Sequence, residues 1–567
     1  MSEPSTAVPS STSEATSSCP QRNEYDNFYT PRNEDFYSSI GYMSFKPEDR
    51  KIRLLRIHPL KPGEDEQSPI EAELVDNQPL DAVRGDFTTV SYFAGNPKKT
   101  EAILINGRSF NAFSNLGHAL RMIRHFWKEK FGTRELLLWA DQVCINQSDL
   151  HERSHQVDFM GDIYGSAMQV LVCLSVDGDS NRSGGFRWLS QFSSEFKKCL
   201  QSQIEPECTN DTYDIEYHRF RFLLEHFEEK SFHCGWNTFC ATVRKSPWWR
   251  RAWIRQEFLR SPDAYFLFGN EYIHWEAAAE AINLYYVSSL DYYGRVLRED
   301  KPCPISSRTS SDACQICLCT TDDENPIFAG KRVYRLVSAK LENSKKKDAS
   351  DLLDWLKEMR FCEASDPRDL IYAGFGISAH SYNLYPNYAS DFSFQDLLVQ
   401  VARHFISHRQ SLNVMLRYAG LTRRSSHGSD LPSWVPDWRD CMVTCGGLQN
   451  ILRRPRSTDY FAFHPDSRGR PGRILQVRGV HVKDTDRTLF HIKERFKYAG
   501  RIIPSGESYM LHGASNIFIL HRRDQYFKVV GEIPDPDDVY LEVELLMDDL
   551  EQMVERNDPA VKIIKIC

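Results

Sequence analysis

Asp141 follows an apolar run, Leu136-Leu137-Leu138-Trp139, that reads as a strand buried on both faces. Ligands of open α/β sheets bind at the carboxyl ends of strands, so an acid there is placed for a ribose or a cation. Asn146 and Gln147, in the same turn, are companion ligand-binding candidates. Plain turn chemistry competes, because Asp141 and Asn146 can equally accept backbone N–H groups. Glu152 and Gln156 share one face of the next helix, and Glu152 is a candidate catalytic acid. Asp149 and Glu152 also have capping-box spacing, which would give that carboxylate a structural task. Arg153 beside it suits a carboxylate partner. Cys144 with His151 or His155 would make a thiol nucleophile and base. Its Val-Cys-Ile context is apolar and raises a thiol pKa, so a buried small hydrophobe is the better reading. Glu257 lies among Arg250, Arg251 and Arg255, which could pair with it and hold its helix down. Cys303, Cys314, Cys317 and Cys319 could offer four thiolates to zinc. No partner pair follows at zinc-finger spacing, and their Ser-, Thr- and Asp-rich surroundings read as exposed loop. No Walker loop occurs, and no Gly-rich dinucleotide fingerprint follows the early strands.

The elements that would position these residues alternate. Ile52 to Ile57 and Glu71 to Val75 read as strands, and Phe87 to Phe93 is β-branched and aromatic. Ala102 to Ile105 closes through Asn106-Gly107, a pair suited to a type I′ hairpin turn. Leu116, Ala119, Leu120, Ile123, Phe126 and Trp127 fall three and four apart, the period of an amphipathic helix. After Leu136 to Trp139, one helix is predicted from Asp149, with Val157, Met160, Tyr164 and Ala167 as its buried stripe. Val170 to Val176 is the next buried strand. Strand, helix, strand, helix, strand is the pattern of a parallel sheet covered on both faces. Residues 181–246 interrupt it as a polar insertion, and Ala264 to Phe268 resumes it. Helical periodicity follows at Asp351 to Arg360 and Phe394 to Ile406, and strand signals return from Leu475 onward.

With 567 residues, 41% hydrophobic and 12% aromatic, the chain can bury a large core and is neither disordered overall nor a coiled coil. Lys plus Arg total 70 against 78 Asp plus Glu, a net charge of −8. A sequence-independent nucleic-acid binder needs a positive surplus, so no nucleic-acid partner is expected. No run of about 18 apolar residues exists, so no membrane span is expected. The Ser-, Thr- and Pro-rich start lacks the apolar run of a secretory signal. The odd count of 15 Cys reads as reduced thiols inside a cell. The expected location is cytoplasmic, with nuclear residence left open.

At Leu138 to Gln156 the residues resemble the central signature of the fungal heterokaryon-incompatibility (HET) domain. Trp139, Asp141 and Cys144-Ile145-Asn146-Gln147 are followed by Glu152-Arg153, Gln156, Met160, Ile163 and Tyr164. Cys144, Arg153, Gln156 and Tyr164 are thereby family-motif residues. Upstream, Thr89-Val90-Ser91-Tyr92-Phe93-Ala94-Gly95 is similar to the family's Ala-Leu-Ser-Tyr-X-Trp-Gly, with Ala94 in place of the Trp. Asn115-Leu116 and Ala119-Leu120 match its next block, and Trp248-Trp249-Arg250-Arg251-Ala252-Trp253-Ile254-Arg255-Gln256-Glu257 its last. Asp366 to Ala373 and Leu431 to Trp438 resemble segments that follow this domain and carry no assigned chemistry.

The resemblance implies a protein that triggers growth arrest or cell death when genetically different fungal cells fuse. It implies self-association, with other incompatibility proteins as further partners. It also implies a distant relation to Toll/interleukin-receptor (TIR) domains. Enzymatic TIR domains cleave NAD with a Glu one helical turn after a Trp. Trp253 and Glu257 have that spacing, so both would face the same way. On this resemblance Glu257 is the catalytic candidate, steadying an oxocarbenium-like state, and Trp253 is a ligand-binding candidate. NAD enters as substrate of that reading, and no resident cofactor is assigned.

The expected fold class is α/β: a HET-type domain with a mainly parallel central sheet flanked by helices, TIR- or flavodoxin-like. The expected division is a disordered tail at 1–33, the HET domain at 50–276 with its insertion at 181–246, a mainly helical region at 277–470 and a small β-rich region at 471–567. Two functional classes stay open. One is an NAD-consuming enzyme activated by self-association, and the other a non-enzymatic protein-interaction module. They differ in whether Asp141 and Glu257 converge on one cleft.

Overall fold

The computed structural model describes residues 33–39, 49–179, 183–203, 238–239, 243, 245–283, 326–345, 351–378, 383–409, 412–421, 430–439, 461–483, 506–512, 514, 517–533, 550 and 552–567. The tail expected at 1–33 (Asn33 apart), most of the insertion at 181–246, and Cys303, Cys314, Cys317 and Cys319 lie outside the described residues.

The N-terminal half runs α1 (Glu34–Ser39), β1 (Lys51–Ile57), β2 (Glu71–Pro79), β3 (Thr88–Tyr92), β4 (Thr100–Ile105), β5 (Arg108–Phe113) and α2 (Ser114–Phe131). It continues with β6 (Leu136–Trp139), α3 (Asp141–Cys144), α4 (Leu150–Asp158), α5 (Met160–Ser166), β7 (Gln169–Cys173), α6 (Phe186–Gln203), α7 (Ile254–Arg260), β8 (Ala264–Phe268) and β9 (Glu271–His274). Among the described residues these strands form one nine-stranded sheet, ordered β5-β4-β2-β1-β6-β3-β7-β8-β9. Its heart is parallel, as expected: β6 pairs with β3, β3 with β7, and β7 with β8. Antiparallel strands extend it on both flanks, β1 against β6 and β9 against β8, so the whole sheet is mixed. The β4–β5 hairpin turns through Asn106 and Gly107, at φ 52° and 71°. Positive φ at both positions is what a type I′ turn requires. The single helix predicted from Asp149 is two. Phe159 leaves helical geometry at φ −108°, ψ 16°, and α5 then carries Tyr164 onto β3, where its hydroxyl donates to the Val90 carbonyl (3.0 Å).

The connections matter for the site. From β3 the chain passes through α2 to β6, and from β6 it returns past β3 through α4 and α5 to β7. Crossovers in parallel sheets are right-handed, so these two, running in opposite directions, carry their helices on opposite faces. The carboxyl ends of β3 and β6 therefore mark the topological switch point, the position at which ligands of such sheets bind.

The second half contains α8 (Pro326–Lys345), α9 (Leu352–Glu358), α10 (Asp369–Tyr372), α11 (Phe394–Arg409) and α12 (Asn413–Leu421), then β10 (Phe461–His464), β11 (Ile474–Val482), β12 (Glu507–Leu511), β13 (Ile517–Arg523), β14 (Tyr526–Ile533) and β15 (Lys562–Ile566). Strands β10 to β15 lie in order, and β15 pairs back onto β11, which closes β11 through β15 into a small barrel. One hydrophobic core surrounds the large sheet. A second runs through α9, α11, α12 and the barrel, and Ala252, Trp253 and Val157 of the first half reach into it. Among the described residues no helix is long and apolar enough to cross a membrane.

Strand β6 is the central strand. Leu138 is fully buried and paired with Leu55 and Thr88. Leu137, expected to be fully buried, is only half-buried. Its cross-strand neighbour is Arg56, which reaches solvent and pairs with Glu73 and Glu135. Leu138→Asp should therefore abolish soluble expression, because an unpaired buried charge costs several kcal/mol. Leu137→Asp should remain soluble with a lowered melting temperature. Equal behaviour of the two variants would contradict this assignment of faces.

Candidate functional site

Strand β3 is buried along its whole length, yet it contains a serine. The reason lies above it. Ser91 Oγ accepts a hydrogen bond from Trp248 Nε1 (2.7 Å) and donates to Glu257 Oε2. With its acceptor side occupied by the indole, the hydroxyl proton is directed at the carboxylate. Glu257 is only 3% exposed, and its Oε2 also accepts from Arg251 Nη1 (3.1 Å). Helix α7 is fixed from below as well. Lys340 of α8 donates to the carbonyls of Phe258 (2.6 Å) and Ser261 (2.7 Å) at its carboxyl end.

Asp141 opens α3 at the end of β6 and remains partly exposed. Tyr92, the last residue of β3, lies close enough to feel its charge. Burial, and then the Asp141 charge, pushes the Tyr92 pKa well above its ordinary range, so the phenol stays protonated. Burial likewise raises the Glu257 pKa; Arg251 and Ser91 oppose the shift, and Asp141 adds to it. Burial disfavours the charge on Arg251, but Glu257 and Asp141 more than offset this and hold it protonated. Asp141, Glu257, Arg251 and Tyr92 thus influence one another at the carboxyl ends of β3 and β6. An Arg251–Glu257 ion pair with a second carboxylate and a phenol in its field can steady a developing positive charge and bind sugar hydroxyls.

The other sequence candidates have partners of their own. Glu152 is fully buried, and its carboxylate takes Arg53 Nη1 (2.7 Å), Arg53 Nη2 (3.1 Å) and the Asn146 backbone N–H (2.8 Å). The capping box is half formed. Asp149 accepts from the Glu152 N–H, but the Glu152 side chain turns to Arg53 rather than back to the cap. Asn146 Oδ1 accepts from the Ser148 N–H (3.2 Å), and Gln147 Nε2 donates to the Asp141 carbonyl (2.9 Å). Gln156 donates to the Lys51 carbonyl (2.8 Å). Cys144 is buried beneath Ala140, and burial pushes its thiol pKa up to about 12. Trp253 precedes α7, and the Glu257 N–H donates to its carbonyl (3.0 Å). The two side chains take different neighbours, since Trp253 packs against the second core near Asp369. Arg153 leaves the sheet altogether. Its guanidinium lies 3.9 Å over the Tyr388 ring and 3.9 Å from Asp369. Among the described residues no group of three or more His, Cys, Asp or Glu is placed to hold a metal.

Ser91, Tyr92, Trp248 and Arg251 were not singled out as site residues from sequence. The available signal was their place in the motif blocks, Ser91 and Tyr92 in the first and Trp248 and Arg251 in the last. Gly95 is explained too: at φ 80°, any Cβ there would meet Asn115 Nδ2 at 2.4 Å. Asn115 in turn ties the ends of β3 and β7 together, donating to the Phe93 carbonyl and accepting from the Asp177 N–H (both 2.9 Å).

Residues 87–257, the span from β3 to Glu257, match the family model described as heterokaryon incompatibility protein (HET). This span therefore resembles a HET domain. It is 26% identical over 385 residues to heterokaryon incompatibility protein 6, OR allele, of Neurospora crassa. The aligned stretch covers 62% of this chain and 53% of that protein, so the chain spans about half the length of that curated relative. No solved structure matches the chain.

Proposed function

We propose that this chain is an incompatibility protein that signals nonself recognition by arresting growth or killing the cell, with the HET domain at residues 50–276 as its effector. The observation that carries the reading is the meeting of residues from separate motif blocks. Tyr92 comes from the first, Asp141 from the central signature, and Arg251 and Glu257 from the last. Residues brought together from distant blocks at the carboxyl ends of parallel strands are the arrangement an active site requires. The chemistry that fits is cleavage of the nicotinamide–ribose bond of NAD in self-associated protein. Glu257 would face the oxocarbenium-like carbon and Asp141 the ribose hydroxyls. In the cell, self-association would be driven by local concentration.

A second reading rests on a specific observation. Glu257 is nearly sealed and already engaged by Ser91 and Arg251. A carboxylate so occupied would serve a non-enzymatic module that signals through partner proteins. The test is strong expression of the full chain in a fungal host, with growth and cellular NAD followed together. Under the enzymatic reading NAD falls before growth stops, and Asp141→Asn removes both effects. Growth arrest at constant NAD would transfer the reading to the module. A folded, abundant and harmless protein would sink both.

A further inference from the structure

The block that carries Arg251 and Glu257 is held from outside the large sheet. The Glu363 N–H donates to the Arg250 carbonyl (2.6 Å), and the Ala252 N–H donates to the Glu363 carbonyl (3.1 Å). Arg251 and Glu363 thereby form a parallel bridge. One turn on, Arg255 Nη2 and Arg335 Nη1 both reach Glu358, at 3.3 and 3.0 Å. Gln256 packs between Gly161 of α5 and Gly376, positions where a Cβ would collide with its amide or with the facing backbone.

These contacts are fastened at Asp369, the first residue of α10. It is 8% exposed. Its carboxylate accepts from the Tyr388 hydroxyl and faces Arg153 of α4, and the Trp253 side chain, packed against the second core, is near enough to lower its pKa. On its own side stand Asp366 and Arg368, paired with each other (2.9 Å), and Arg368 also holds the carbonyls of Ala389 (2.9 Å) and Phe392 (3.0 Å). The group therefore joins α4, the residue before α7, and the loop that leads to α11.

We propose that Asp369 is the positioning residue of an internal clasp, in which residues 351–378 and 383–392 grip Arg153 and Trp253 and so keep Arg251 and Glu257 in place. The HET domain's charge cluster is then complete only with this downstream segment docked. The inference concerns the geometry of the 250–257 block and stands independently of the chemistry proposed above.

A dependence on pH follows. Burial pushes the Asp369 pKa up to about 6; Arg153, Tyr388 and Trp253 pull it down, and Asp366 adds to it. A carboxyl raised in the fold stabilises fully below its ordinary value of about 4. That contribution is lost as pH rises through the folded value. The clasp should therefore be tighter at about pH 5 than at about pH 7.5.

Hydrogen exchange on the full chain tests this, with rates corrected for the intrinsic effect of pH. Asp369→Ala should lower protection of the Ala252 and Glu363 amides by about tenfold or more while leaving β3 protected, because local opening need not be global. Asp369→Asn, which keeps the shape and stays neutral, should retain protection and flatten the dependence on pH. Unchanged protection of 250–257 in Asp369→Ala, or an equal loss there and in β3, would overturn the proposal. If Asp369→Ala does not fold, Asp369→Asn decides: a wild-type pH dependence of the block would overturn it.

Discussion

Glu152→Ala is expected to cost about 3–5 kcal/mol, the range for breaking a buried ion pair by removing one partner. The side chains of Arg53 and Glu152 are 1% and 0% exposed. Without the carboxylate, Arg53 keeps the Cys144 carbonyl (3.2 Å) and Asp76 (3.1 Å), but Asp76 is half-exposed and screened. The Asn146 N–H loses its acceptor as well. A buried donor left unpaired adds its own desolvation cost. The double variant Arg53→Met, Glu152→Leu should recover most of the loss, since apolar replacement of a buried pair is often neutral or stabilising. Denaturant midpoints of the two variants measure this. A loss below about 1 kcal/mol in Glu152→Ala, the worth of an exposed pair, would mean that the pair is solvated. Behind the expectation is a structural role for this motif acid: it ties the signature turn to β1.

Glu257→Gln should have the opposite profile, silent in stability and severe in function. Growth arrest, and NAD loss where it occurs, should fall about 100-fold or more, the scale of removing one preorganised contact to a transition state. Folding should not suffer. Burial raises the Glu257 pKa, so its ionised form is disfavoured in the fold. The stabilising contribution is present below the ordinary carboxylate range and is lost as pH rises through the raised value. Glutamine never ionises, so the variant should melt at or above the wild-type temperature at about pH 7.5, and the gap should shrink towards about pH 4. Arg251 keeps Asp141 nearby and is 16% exposed, so it is not stranded. A variant that unfolds would show Glu257 to be a structural counter-charge to Arg251. One that folds and still arrests growth would remove Glu257 from the candidate site.

The strands and helices of the large sheet were legible in the sequence because each rests on a local pattern. Asn106-Gly107 specifies its turn by backbone sterics, and Leu136–Trp139 lacks alternation because both faces of β6 are at least half-buried. The break at Phe159 was not legible, since the helical period of Val157, Met160 and Tyr164 continues across it while the axis changes. Nor were the antiparallel flanks, because strand order depends on which edges meet and not on the residues within one strand.

The candidate site divides along the same line. The sequence by itself marked Asp141, Glu152 and Glu257 as acids in motif blocks, each beside a competing structural task. Residue type and spacing do not say whether a carboxylate meets an arginine from the next strand or an open crevice. Tertiary structure sent Glu152 to Arg53, a residue 99 positions away, and brought Glu257 and Asp141 to one Arg251. It also turned two motif residues, Arg153 and Trp253, outward to Asp369. Local propensity acts over a few residues, whereas the desolvation that sets these partners and their protonation acts across the packed core. That is why composition and pattern determined the fold class, and only the packed chain decided which of its acids share a site.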